Sequence, residues 1–252
     1  MATVCDWGRE GGDITRTYFN KVKGERKADK SLVSKADIEI EQMLRAHIGQ
    51  HYPDHGIMGE EEGSQDIDKE FVWCLDPLDG TEAFLCGLPI WGVSIGILRN
   101  KQPYRGVVYL PATDDCYWND DSGAYWNGTP IRVSEATTLE PHDWIINHSR
   151  THLDYDVTFP GKMRSFGSFA AHYCYIARAS APAALIGRPH LWDAAAGMAI
   201  FHAAGGVSTT LPNGDPLDLE AFFDQQKSPH ALLASPPALV ADLVRYIKLR
   251  QP

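Results

Sequence analysis

Phe71-Val72-Trp73-Cys74-Leu75-Asp76-Pro77-Leu78-Asp79-Gly80-Thr81 is the stretch on which the reading of this chain turns. Its first five residues are apolar, aromatic or β-branched, which predicts a short buried strand. Pro77 has no N–H for a central ladder, so the strand is expected to stop near Asp76. Pro77 also fixes its own φ and stiffens the turn that follows. Two carboxylates three residues apart in such a turn can converge on one point. Gly80 lets backbone approach a ligand, and Thr81 adds a hydroxyl. Hard oxygen ligands beside backbone N–H groups suit a magnesium-bound phosphate.

Asp-Pro and Asp-Gly are also ordinary turn dipeptides, and by itself the stretch reads first as only a turn. Two further stretches shift the balance. Upstream lies Gly59-Glu60-Glu61-Glu62-Gly63, where a glutamate run that would otherwise be a solvated loop is framed by glycines. Downstream lies Trp192-Asp193-Ala194-Ala195-Ala196-Gly197, an acid at the head of a helix of small residues. An acid there is an ordinary first-turn choice, yet the small residues after it permit close approach of other elements.

Together with Leu32-Val33-Ser34-Lys35-Ala36-Asp37, these stretches stand in an order that resembles the inositol monophosphatase family of magnesium-dependent phosphatases. The marks span residues 32 to 197, and Ala203-Ala204-Gly205-Gly206 also fits. The resemblance implies an α+β fold, a layered αβαβα sandwich, with metals between two lobes. The lobes are expected at 1–140, carrying most ligands, and 141–252, contributing Asp193 and substrate contacts. It implies two or three Mg2+ ions: one on Glu60, Asp76 and the Leu78 carbonyl, a second on Asp76, Asp79 and Asp193, and a third near Glu60. Glu61 becomes a neighbouring acid. Glu60 and Thr81 would orient the attacking water, with Asp37 holding Thr81. Asp79, Gly80, Thr81 and Asp193 would meet phosphate or substrate. Lithium sensitivity and a homodimer are further implications.

Which ester is cleaved stays open. Family members carry a glutamate about seven residues before the Trp-Asp acid, where this chain has Ile186. Arg188 or His190 is offered as a substrate contact instead. Pro53 to Glu61 resembles the histidinol-phosphate phosphatases of the family, although Glu82 follows the Asp-Gly-Thr where those carry a basic residue. The activity expected is therefore hydrolysis of a small polyol, inositol or sugar phosphate, with histidinol phosphate as the alternative. A reading of another class is a metal-dependent binding protein without catalysis.

Composition is that of a soluble globular protein. The chain has 252 residues, 44% hydrophobic and 22% charged, enough to bury roughly three quarters of its unfolded surface. A net charge of −10 argues against nucleic acid as a partner, since phosphate backbones need a basic footprint. No apolar run reaches membrane-spanning length, and the five scattered cysteines suit a reduced, cytoplasmic setting without a zinc site.

Local patterns fill in the rest. Ile14, Tyr18, Phe19 and Val22 predict a first helix, and Ile40, Met43, Leu44, His47 and Ile48 a second, with Asp37 in its first turn. Lys23 to Lys30 reads as an exposed polar loop. Trp91–Leu98 and Arg105–Leu110 are expected to pair, and Asp121-Ser122-Gly123 to turn a hairpin. Ser168 is expected to cap a helix through Ala177, Ala183 to Ile186 to form a strand, and Pro237 to Leu249 a final helix.

Overall fold

The computed structural model describes residues 1–21, 25–26 and 32–250. Most of the expected 23–30 loop, and Val22 of the first helical stripe, lie outside the described residues. Within them the chain forms five layers. Helices Ala2–Tyr18 and Lys35–His51 cover one face of an eight-stranded sheet. Helices Phe169–Ala177 and Leu191–Ala203 fill the space between that sheet and a six-stranded one. The Val240–Tyr246 helix closes the far side, with Leu239, Leu243 and Ile247 packed against Ile145, Leu185 and Leu233. This is the αβαβα sandwich.

The first sheet is held by the 71–79 strand, and its side chains alternate as a pleat requires. Val72 and Cys74 enter the inter-sheet core, while Trp73 and Leu75 enter the core under the first two helices. The strand pairs parallel with Gly56–Gly59 and antiparallel with Gly92–Arg99. It runs to Asp79, three residues past the expected stop. Pro77 is tolerated because Pro77 and Leu78 form a bulge: pairing is regular to Asp76↔Ser94 and resumes at Asp79↔Gly92. The bulge leaves both aspartates buried, 2% and 4% exposed.

The small residues of the Leu191–Ala203 helix explain how a distant acid reaches that bulge. Gly96 and Gly106 face each other across neighbouring strands. A Cβ on Gly96 would lie 2.8 Å from Ala195 Cβ, and one on Gly106 would lie 2.2 Å from the Ala196 carbonyl oxygen. Helix backbone therefore rests directly on sheet backbone, and Asp193 sits at its leading end.

Both hairpins, the Ser168-capped helix and the second helix form where expected. The first helix forms but starts earlier. Its buried face is Val4, Cys5, Trp7, Gly8, Gly11, Gly12 and Thr15, with Ile14, Tyr18 and Phe19 half-buried against the same core. The expected final helix divides: Pro237–Leu239 is a 3-10 turn, and Ile247–Leu249 is a strand antiparallel to Tyr155–Val157. Tertiary pairing there overrides a helical pattern. The second sheet begins at Trp144, after a stretch from 132 to 143 without helix or strand. All five cysteines are unpaired, and no helix among the described residues is long and apolar enough to cross a membrane.

Candidate active site

Three acids from three separate elements meet in space. Ligand oxygens of Glu60, Asp76 and Asp193 all lie within 4.8 Å of one another. Glu60 follows the Gly56–Gly59 strand and its N–H donates to the Leu75 carbonyl at 3.1 Å, which ties it to the residue before Asp76. Asp76 holds its own turn through Leu78 N–H, 3.1 Å from Oδ1. Asp193 accepts His190 N–H at 2.7 Å on Oδ2, so it caps its helix and faces the group at once.

Such a gathering is costly without a cation. Burial, followed by the charges of Glu60, Asp79 and Asp193, pushes the Asp76 carboxyl well up. Desolvation and then Asp79 and Glu60 do the same to Asp193. Hard oxygens packed this closely are the donor set that a small divalent cation takes. The residues present thus fit a magnesium ion.

Asp79 stands beside the three rather than among them. Its Oδ1 accepts Phe169 N–H at 3.0 Å, and Oδ2 accepts Ala170 N–H at 2.8 Å and the Ser168 hydroxyl. Both lone pairs of Oδ2 are used, which leaves one on Oδ1 for a further partner. Burial pushes this carboxyl up to about 6, and the Ser168, Ala170 and Phe169 donors hold it from rising more. Asp37 serves two ends. Its Oδ2 accepts Ser34 N–H at 2.8 Å and Ser34 Oγ–H at 2.6 Å, closing the helix cap, while Oδ1 lies 3.2 Å from Thr81 Oγ1. Thr81 Oγ1 is also 3.0 Å from the Leu78 carbonyl, so its one proton goes to Asp37 or to Leu78 and its lone pairs are left to accept. Burial raises the Asp37 carboxyl, opposed by the Ser34 hydrogen bonds. Gly80, at φ 95°, leads into the short Thr81–Leu85 helix.

Beside Ser168 opens a cavity of about 740 Å³, lined among others by Glu82, Cys86, His148, Arg150, Phe166 and Phe169. His148 stacks on Phe169 with centroids 5.5 Å apart. Ile186 is fully buried, in the core behind. Arg188 is placed elsewhere: its Nε donates to the Ser228 carbonyl at 3.1 Å, and it lines a second cavity with Tyr155, Leu211 and His230. The sequence reading passed over two participants. Ser168 was expected only as a helix cap, although its hydroxyl also reaches Asp79. Glu41 was passed over because a glutamate is taken for a solvent-facing residue, although its spacing from Leu44 and Ile48 puts it on the buried face.

Several known proteins are similar to this chain. The model of the inositol monophosphatase family matches residues 1–235. A fructose-1,6-bisphosphatase/inositol-1-monophosphatase of Aquifex aeolicus is 33% identical over 235 residues, 87% of this chain and 88% of that protein. A histidinol-phosphatase of Chlorobaculum parvum is 29% identical over 217 residues, 82% of this chain and 83% of that protein. The solved structure of Thermotoga maritima IMPase superposes with a TM-score of 0.84 at 26% identity, covering 97% of this chain and 95% of that one.

Proposed function

This chain belongs to the inositol monophosphatase family and is a phosphoric monoester hydrolase, and from that premise we propose that it is magnesium-dependent and cleaves a small polyol, inositol or sugar phosphate. The observation that carries the reading is the convergence of Glu60, Asp76 and Asp193 oxygens within 4.8 Å from three distant parts of the chain. Glu60, Asp76 and Asp193, with the Leu78 carbonyl and the remaining Oδ1 lone pair of Asp79, would hold two or three ions. Magnesium when bound supplies a Lewis acid and lowers the pKa of a coordinated water.

The chain's own residues supply position and charge. Thr81 Oγ1, its one proton taken by Asp37 or the Leu78 carbonyl, presents lone pairs that accept from the attacking water. Glu60 is assigned to orient the same water. Gly80 and Thr81 N–H groups are assigned to phosphate oxygens. Asp79 fixes the Phe169–Ala177 helix against the site, so the leaving group is aligned in the neighbouring cavity. Positioning and charge are the main currency of phosphoryl transfer.

A second reading, histidinol phosphate, is favoured by one feature. The cavity wall is aromatic and imidazole-bearing, with Phe166, Phe169 and His148, and Ile186 offers no carboxylate for a polyol hydroxyl. A panel settles the choice: phosphate release with and without Mg2+ from myo-inositol phosphate, fructose bisphosphate, histidinol phosphate and phosphoadenosine phosphate. Release from none of them would leave a binding protein as the better reading. Lithium inhibition, a homodimer and a cytoplasmic location belong to the same proposal and are checked by inhibition curves, light scattering and fractionation.

A further inference from the structure

Glu41 is wholly buried, one helical turn beyond Asp37. Its carboxylate is nearly saturated. Oε2 accepts Glu61 N–H at 2.8 Å, and Oε1 accepts Glu62 N–H at 2.9 Å and Arg45 Nε–H at 2.9 Å, with Arg45 Nη2 2.8 Å from the same oxygen. Arg45 reaches on to the Gly63 carbonyl and stands 3.6 Å from a Glu62 carboxylate oxygen. The loop after Glu60 is therefore gripped at Glu61, Glu62 and Gly63 by one buried ion pair on a neighbouring helix. On the other side, the Glu60 N–H is fixed to the Leu75 carbonyl.

A buried charge is expensive, and apolar packing would stabilise the fold as well or better. A carboxylate does what packing cannot: it accepts two consecutive backbone N–H groups at once and so fixes the direction of the chain between them. The segment gripped in this way begins at Glu60, whose side chain must meet Asp76 and Asp193. Gly59 belongs to the same device. A Cβ there would lie 2.1 Å from Glu41 Oε1, so any side chain at 59 evicts the carboxylate.

We infer that Glu41, braced by Arg45, is a positioning residue that sets the affinity of the acid group for its divalent cation without touching it. This rests on the metal reading above. The test is Mg2+ binding to the full chain by titration calorimetry, for wild type, Glu41→Gln, Gly59→Ala and the double variant. Glutamine keeps the volume but brings an amide NH2 against a backbone donor, so only one of the two N–H groups stays satisfied. The dissociation constant for Mg2+ should rise at least tenfold in each single variant and no further in the double. The Mg2+ concentration that half-activates phosphate release should rise by the same factor. Affinity within twofold of wild type in both single variants, with only the metal-free melting temperature lowered, would show that the pair holds the fold and nothing more. If Glu41→Gln does not fold, Gly59→Ala carries the test with Glu41 and Arg45 intact, and failure of both to fold overturns the inference. A wild-type chain that binds no Mg2+ sinks the metal reading instead, which keeps the two failures apart.

Discussion

Replacing Asp79 by asparagine separates what this residue does for the fold from what it does for the chemistry. In the fold it gathers three donors, from Ser168, Phe169 and Ala170. Asparagine has one acceptor oxygen, which can keep the two donors now on Oδ2 and must present an NH2 to Phe169 N–H. Losing one charge-assisted hydrogen bond costs about 2 kcal/mol. Against this stands relief of a charge held where it is unfavourable. Burial pushes the carboxyl from the ordinary 3.8 to about 6, which at pH 8 corresponds to about 3 kcal/mol of charging cost. The value of about 6 already includes the three donors, so relief of the charge is the larger effect. The metal-free variant should melt no lower than wild type at pH 8, where 1 kcal/mol shifts a chain of this size by about 2–4 °C. Phosphate release at saturating Mg2+ should nonetheless fall by about 10²–10³, the usual loss when one charge aligned on the reacting group is removed. Turnover at the wild-type rate in a folded variant would refute the site as drawn. A melting point lower by about 10 °C would instead make Asp79 a structural cap.

Three other outcomes follow from the same coordinates. Asp79 is pushed up to about 6, and Asp76 and Asp193 are pushed well up too. A raised carboxyl favours the fold at low pH and costs it as pH climbs through the folded value. Magnesium neutralises these same charges, so the melting-temperature gain from Mg2+ should be near zero at pH 5 and several degrees at pH 8; a gain independent of pH contradicts the grouping. Thr81→Val keeps the shape but removes the hydroxyl that links Asp37 to the water. It should lower kcat by about 10²-fold with little change in Mg2+ affinity, as steady-state kinetics and calorimetry can tell. Gly12→Ala would put a Cβ 2.3 Å from Tyr109 Cε1 under the first helix, and should cost about 1–3 kcal/mol in urea unfolding without altering Mg2+ affinity.

How far the sequence carried depends on what each residue's signal is made of. The acid motifs were legible because chemistry constrains them locally: an aspartate, a proline and a glycine in fixed order leave few alternatives. The strand through Trp73 was legible because its branched and aromatic residues alternate between two apolar cores. Leu232–Ser235 was not. It is fully buried in the second sheet between 184–185 and 207–210, yet leucine, alanine and serine carry little β preference, and only its neighbours make it a strand. The first helix was displaced for a related reason. Gly8, Gly11 and Gly12 weaken a helix in isolation, and they become its buried face only because a sheet lies close enough to need them.

Glu41 marks the limit most sharply. At the level of sequence it is one polar residue among several on an amphipathic helix, and although it falls on the stripe of Ile40, Leu44 and Ile48, its residue type argues for solvent. It is buried because the loop after Glu60 offers two N–H groups with no strand or helix to take them, and Arg45 on the next turn makes the charge tolerable. The arginine is a local neighbour, but the two N–H groups belong to a loop twenty residues away. Residues that touch the reacting group can be read from motifs, since the chemistry fixes their type. Residues that aim them answer to geometry supplied by other elements, and the exchange of a glutamate for any other acceptor would be invisible to a motif while altering the site it supports. If Glu41→Gln leaves cation affinity untouched, aim in this site is set by the strands alone, and the helix above them is only a cover.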